Sequence, residues 1–145
     1  MSMLIQIISA FVGSLGFALI FNVKGISTLI CALGGGLTWC IYLLTEGLSS
    51  APFVPSLCAA VFAAAFSEIM ARIFKTPSTV FTATSIIPLV PGGTLYYTLL
   101  SVIRNNSFSA ISYGTKTFLA ASGIAIGIVV VSVFVKALSK SKISG

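Results

Sequence analysis

The chain has 145 residues, of which 57% are hydrophobic and only 7% are charged, and its mean hydropathy is +1.14. A water-soluble domain needs a charged surface that this composition does not supply, so the sequence predicts an all-α, polytopic integral membrane protein. The net charge of +6 does not indicate nucleic-acid binding, because the basic residues are dispersed between apolar segments instead of being clustered.

Five apolar segments follow one another along the chain, and each is close to the roughly 20 residues that a helix needs to cross a bilayer. Only short connections separate them, which leaves no room for a soluble domain. The sequence therefore predicts a single membrane domain, residues 1–145, that ends in a basic tail at 136–145. The expected segments are residues 3–21, 27–45, 53–74, 78–103 with a break near 88–93, and 116–135.

The second segment carries two aromatic residues, Trp39 and Tyr42, toward the end that we expect to be external. Amphipathic rings favour the level of the lipid head groups, so both are predicted to belong to the interfacial belt. Small residues recur at four-residue spacing in several segments, for example at Gly123 and Gly127. Such rows let helix backbones approach closely, and we expect them to pack the bundle, with an interface to a second subunit as the alternative.

The third segment contains Glu68, an acidic residue inside an apolar run. An acid within the membrane indicates a functional site by default. Arg72 lies four residues later on the same helical face, in the order that favours an ion pair. Two interpretations stay open: a structural or snorkelling pair, or a role of Glu68 and Arg72 in coupling transport to protons or to the substrate.

The fourth segment holds two prolines and a glycine pair near its middle, at Pro88, Pro91, Gly92 and Gly93. Proline removes an amide hydrogen and breaks the helix, and the freed backbone groups are tolerated in a membrane only where they are buried in protein or line a polar cavity. A helix that restarts near Gly93 presents unpaired amides and the positive end of its dipole, which suits a carboxylate. The alternative is that the prolines only kink a packed helix.

Hydroxyl groups flank this break, before it at Thr82, Thr84 and Ser85 and after it at Thr94. We expect them to form a polar patch that suits a small amphiphilic or zwitterionic solute. Tyr97, about one helical turn after the break, is a further candidate for the cavity wall, with packing as its alternative role. The candidate substrate-binding residues are therefore Thr82, Thr84, Ser85, Pro88, Pro91, Gly92, Gly93, Thr94 and Tyr97.

Six of the eight basic residues share one side of the membrane if all five segments cross it. The positive-inside rule then predicts an external N-terminus and a cytoplasmic C-terminus. If the fourth segment re-enters instead of crossing, the chain has four spans and this prediction fails. The six residues are Lys24, Arg72, Lys75, Lys136, Lys140 and Lys142.

Residues for catalysis are missing from the sequence, which contains no histidine, no aspartate and only two glutamates. General acid–base and triad chemistry therefore lack the side chains they need, and we expect no enzymatic activity and no catalytic residue. The three cysteines lie inside apolar segments without the paired spacing of a zinc site, so neither a metal nor another cofactor is expected.

The stretch at residues 80–100, VFTATSIIPLVPGGTLYYTLL, is preceded by a basic residue and Thr-Pro at 75–77 and resembles a family signature. Together with FNV at 21–23 and SEIMAR at 67–72, it resembles the second half of the threonine/serine exporter superfamily over nearly the whole chain. The matching motif positions are Pro77, Pro88, Pro91 and Gly92. The sequence departs from the family pattern at Thr84 and Ser85, where many members have Pro-Gly, and at Lys24, where proline often follows FNV.

This resemblance implies a small subunit, in a bacterial inner membrane, that works with a larger membrane subunit corresponding to the first half of the exporter. Members export threonine and serine or, in some two-subunit systems, dicarboxylates such as succinate, and we expect an ion or proton gradient to drive the export. A single broken helix also offers half of what a transporter with paired broken helices usually contains. The alternatives are a homo-oligomeric channel or small-solute transporter without a partner, and a membrane assembly factor that does not transport.

Overall fold

The computed structural model describes residues 2–47 and 50–143, with side chains as far as residue 138, so the side chains of Lys140 and Lys142 lie outside the described part. Within those residues all regular structure is helical, which confirms the predicted all-α class. The helices are α1 (Met3–Ile20), α2 (Ile26–Glu46), α3 (Phe53–Phe74), α4 (Ser78–Ile86), a 3₁₀ turn (Ile87–Leu89), α5 (Gly92–Ile103) and α6 (Ser107–Ile143).

Helices α1, α2, α3 and α6 are each long and apolar enough to cross a membrane. Helices α4 and α5 meet the same criterion only together, and they are bent by 53° at the predicted break. The described residues therefore contain four continuous candidate spans and one broken span.

Three of the connections are tight turns built in the same way. Asn22, Lys75 and Asn105 follow α1, α3 and α5 and adopt left-handed backbone angles, with φ of 55°, 50° and 54°. In each turn the next amide bonds back to a carbonyl five residues earlier, the pattern of a Schellman motif, which satisfies carbonyls at the helix end. These bonds run from Val23 to Ala18, from Thr76 to Ala71 and from Asn106 to Ser101.

Small side chains make the interior of the bundle. On α1 the buried positions are Ala10, Ser14 and Ala18, spaced by four residues, and Ser14 packs directly against the buried Gly35 of α2. Most large apolar side chains point outward, where lipid solvates them as well as a protein core would. Packing in this bundle therefore depends on the close approach of backbones.

Helices α3 and α6 approach each other closely at two glycines. A Cβ atom on Gly123 would lie 2.6 Å from the carbonyl oxygen of Phe53, and one on Gly127 would lie 2.8 Å from the Cβ of Ala60. Both glycines are buried within this one chain. The structure thus supports their predicted role in packing the bundle and not the alternative of an interface to a second subunit.

Helix α6 runs parallel to α3, because Gly123 lies beside Phe53 at the start of α3 while Leu138 and Arg72 line one cavity near the ends of both helices. Helix α4 starts where α3 ends, and α5 leads into the start of α6 at the opposite end of the bundle. The broken segment therefore enters at one end and leaves at the other, which favours five crossings over the re-entrant alternative.

The last helix is longer than expected, since it begins at Ser107 and not at residue 116. The Asn106 side-chain oxygen accepts a hydrogen bond from the Ser109 amide at 3.1 Å, which caps the first turn. That part of α6 pairs with α5, where the rings of Tyr97 and Tyr113 stack with centroids 5.4 Å apart. The Asn106 cap and the packing against α5 stabilise the start of α6, although its residues are too polar to be recognised as part of an apolar segment.

Candidate functional site

The break in the fourth span has an irregular backbone between Leu89 and Gly92. Pro88 and Pro91 supply no amide hydrogen, so two regular helical hydrogen bonds are missing from this segment. The Val90 amide instead bonds to the carbonyl of Ile87 at 3.2 Å, and the Gly92 amide bonds to the carbonyl of Val90 at 2.7 Å. The chain can then restart as a helix in a new direction.

The restarted helix α5 has an open N-terminus. No side chain caps it, and the amides of Gly93 and Thr94 have no acceptor among the described residues. The Thr94 hydroxyl donates to the Pro91 carbonyl at 3.1 Å and so leaves these amides free. The positive end of the helix dipole adds to them, which makes this end of α5 attractive to an anionic group.

A cavity of about 400 Å³ lies at the start of α5. Four other parts of the chain complete its wall: the end of α2, the α2–α3 connection, the start of α3 and the middle of α6. A volume of roughly 300 to 1,000 Å³ is typical of small-molecule sites. The lining residues are Trp39, Tyr42, Glu46, Ser50, Ala51, Pro52, Pro55, Ser56, Pro88, Leu89, Val90, Pro91, Gly92, Gly93, Thr94, Lys116 and Ala120.

An aromatic pair forms one wall of this cavity. Trp39 and Tyr42 stack with ring centroids 4.9 Å apart and an interplanar angle of 10°. The Trp39 indole N–H donates to the Gln6 side-chain oxygen at 3.3 Å, which joins the wall to α1. The sequence predicted only an interfacial position for these two residues, whereas the structure also places them against the helix break.

Two oppositely charged side chains, Glu46 and Lys116, line the same cavity. Both are exposed, and within the described residues they form no ion pair with each other. The Lys116 ammonium instead lies 5.9 Å from the centroid of the Tyr113 ring. Sequence reasoning missed their role, although both belong to the face that the charge pattern predicts to be external.

Ser56 adds a buried polar group to the wall. It is 1% exposed, and its hydroxyl has no hydrogen-bond partner. Serine hydroxyls in helices commonly bond to a carbonyl one turn earlier, as Ser67 does to Ala63 at 2.6 Å. The Ser56 hydroxyl makes no such bond and stays without a partner at the cavity wall.

The predicted site residues separate into several places. Pro88, Pro91, Gly92, Gly93 and Thr94 all line the cavity. The other four candidates lie elsewhere, so the single polar patch predicted from the sequence does not form. Their part in substrate binding remains a prediction that the geometry does not favour.

Two of those four are buried between α4 and its neighbours. The Thr84 hydroxyl donates to the carbonyls of Val80 and Phe81 at 3.0 and 3.1 Å, and Ser85 packs against Gly34 of α2. Tyr97 is exposed and stacks on Tyr113 outside the cavity.

Thr82 lies with Glu68 along a second groove of about 350 Å³ between α3, α4 and α6. Glu68 is half-buried and Arg72 is exposed, and within the described residues they form no ion pair. The geometry thus does not support the structural-pair interpretation, and coupling remains a prediction. Val90 lines both this groove and the cavity at the break, so it lies between them.

A bundle of membrane-crossing helices with a cavity at a break in one of them has the architecture of a membrane transporter. The family model described as Threonine/Serine exporter, ThrE, matches residues 6–134, so the chain belongs to the threonine/serine exporter family. The resemblance predicted from the signature at residues 80–100 is thereby confirmed. No curated protein and no solved structure is significantly similar to the chain.

Proposed function

We propose that the chain is the smaller membrane subunit of a two-subunit exporter of threonine and serine, and that the cavity at the helix break holds the substrate. The observation that carries this proposal is the pair of unpaired amides, on Gly93 and Thr94, at a cavity wall. A helix N-terminus of this kind suits the carboxylate that every α-amino acid carries. Family membership supports the transport role.

The arrangement of α5 supports a larger partner subunit. Helix α5 contributes no buried side chain, and it packs almost wholly against α6. Transporters with broken helices usually contain two of them in paired repeats, and this chain supplies one. The partner completes the site in this proposal, with a homo-oligomer as the alternative.

The distribution of basic residues supports the proposed orientation in a bacterial inner membrane. The turns that hold Lys24 and Lys75 lie at the same end of the bundle as the C-terminal end of α6. This end is cytoplasmic by the positive-inside rule, so the N-terminus and the cavity at the break face the outside.

Glu68 is the proposed coupling residue. Glu68 is half-buried and lines the same groove as Ser78, Thr79 and Thr82. An acid in this position can exchange a proton with the cytoplasmic side while the outer cavity releases substrate. The gradient that drives export is then a proton gradient.

Efflux of labelled threonine, serine and succinate from cells that lack native exporters tests the proposal. The cells express this chain alone, the larger subunit alone, or both, and the intact pair is expected to be required for threonine and serine efflux. Gly92→Leu fills the cavity and should abolish that efflux. Gly13→Leu is the control and should leave efflux unchanged, because Gly13 lies on α1, away from the cavity. At both glycines no other atom lies within 4 Å of the Cβ position, so neither substitution causes a clash at that atom. Export by this chain alone would favour the homo-oligomer, and equal efflux from the Gly92→Leu variant would refute the site.

A further inference from the structure

We propose that Glu46, Lys116 and Ser56 determine the specificity of the cavity and make it a site for a hydroxylated zwitterion and not for a dianion. The inference rests on the proposed function, since it concerns the same cavity. It adds three residues, on α2, α6 and α3, to the helix break that the sequence indicates.

The cavity is equipped with polar groups that the protein itself leaves unused. The Ser56 hydroxyl is fully buried and has no partner, and the amides of Gly93 and Thr94 have no acceptor among the described residues. Leaving a buried hydroxyl unpaired costs free energy unless a ligand or water supplies the missing bond. A ligand with acceptor and hydroxyl groups satisfies all three.

Two parts of the cavity wall differ in the sign of the charge that they attract. The α5 N-terminus and the Lys116 ammonium attract the carboxylate of a substrate, and the Glu46 carboxylate attracts its ammonium. Glu46 and Lys116 form no ion pair with each other within the described part of the chain, so both charges remain available. An α-amino acid carries both opposite charges close together and can bridge the two parts.

The charges of the cavity wall are less favourable to a dicarboxylate. One carboxylate of succinate can lie at the α5 N-terminus, but the second adds a negative charge to a wall that already holds Glu46 and whose described residues include a single basic side chain, Lys116. Like charges at short distance repel, and water at the exposed rim reduces this effect without removing it. The wall therefore favours threonine and serine over succinate.

Ligand binding to the purified chain, alone and in complex with the larger subunit, tests this assignment. Trp39 is the single tryptophan of the chain and lies in the cavity wall, so its fluorescence reports occupancy. The probes are threonine, N-acetylthreonine, which lacks the ammonium, threonine methyl ester, which lacks the carboxylate, and succinate. Threonine should bind more tightly than the other three probes, either to both preparations or to the complex alone.

Variants then connect each charge of the probe with one residue. Glu46→Gln should weaken threonine binding about tenfold, a factor equivalent to one lost charge-assisted contact, while leaving N-acetylthreonine unchanged. Lys116→Gln should weaken threonine and leave the methyl ester unchanged. Ser56→Ala should reduce the preference for threonine over valine, which lacks the hydroxyl. Arg104→Gln is the control, because Arg104 is an exposed charge at the same end of the bundle but outside the cavity.

The assignment is overturned if Glu46→Gln weakens threonine and N-acetylthreonine equally, if the charge variants behave like Arg104→Gln, or if succinate binds as tightly as threonine. Absence of any binding in both preparations also overturns it. Threonine binding with the expected variant pattern but without efflux would instead reject the export function and leave the recognition site in place.

Discussion

The contact between α3 and α6 provides a direct test of the packing, through Gly127→Ala. The added Cβ would lie 2.8 Å from the Cβ of Ala60 and 3.0 Å from the Leu57 carbonyl oxygen. Carbon atoms in contact prefer a separation of about 3.5 to 4.0 Å, so the two helices must move apart. Overpacking of this kind costs about 1 to 3 kcal/mol.

Helix propensity acts in the opposite direction, since alanine is favoured over glycine by about 1 kcal/mol inside a helix. The control is Gly13→Ala on α1, where no atom lies within 4 Å of the added Cβ, so only the propensity gain remains. Gly127→Ala should therefore be less stable than Gly13→Ala by about 1 to 3 kcal/mol, the overpacking cost alone. Gly123→Ala should be affected at least as strongly, because its Cβ would meet a backbone oxygen that cannot rotate away.

Unfolding in mixed micelles with increasing sodium dodecyl sulfate, followed by Trp39 fluorescence, measures these differences in the free energy of unfolding. Equal midpoints for Gly127→Ala and Gly13→Ala would refute the close contact between α3 and α6. If Gly127→Ala left the isolated subunit as stable as Gly13→Ala but abolished assembly with the larger subunit, the result would support the alternative that Gly127 lies at an interface to a second subunit.

Four further outcomes are expected. Glu68→Gln should lower threonine efflux at least about tenfold and flatten its pH dependence, because an amide cannot carry a proton, and efflux with unchanged pH dependence would reject coupling. Val90→Trp should block efflux without loss of protein, as judged by membrane abundance, because Val90 lies between the cavity and the groove beside Glu68. Reporter fusions at Lys75 and Ser107, which flank the broken span, should locate to opposite faces of the membrane, and location to the same face would contradict five crossings. Trp39→Phe removes the hydrogen bond to α1 and should destabilise the chain by about 1 kcal/mol in the same micelles, with unfolding followed by far-ultraviolet circular dichroism because this variant has no tryptophan, and with an unchanged midpoint as the contrary result.

The sequence predicted the bundle well because lipid imposes a simple rule on it. A helix must be continuously apolar to cross the membrane, and this pattern places α1, α2 and α3 within a residue or two of their observed ends. The start of α6 was not predicted, because this rule uses only the hydropathy of the residues. An Asn106 cap and contacts with α5 extend that helix through residues that are polar.

The site was predicted in part, for a related reason. Pro88, Pro91, Gly92 and Gly93 mark the break because their backbone chemistry acts locally. Thr84 and Ser85 lie close to the break along the chain, as predicted. Successive side chains of a helix are rotated by about 100°, however, and this rotation points both of them into the bundle instead of into the cavity.

Glu46 and Lys116 approach the break only through tertiary packing, since they lie on helices that are distant in the sequence. Their charges are visible in the sequence. Their shared cavity is not, because the sequence does not specify how α6 lies against the end of α2.

The irregular backbone that creates the cavity also leaves the break with few local contacts. Two prolines withhold hydrogen bonds there, and a Cβ atom on Gly92 or Gly93 would have no neighbouring atom within 4 Å. The cavity at the break and the groove beside Glu68, in contrast, have walls of packed helices and share Val90. We expect a rotation of the backbone at this point to move Val90 relative to both spaces. For the proposed exporter we therefore expect alternating access to depend on movement of the broken helix.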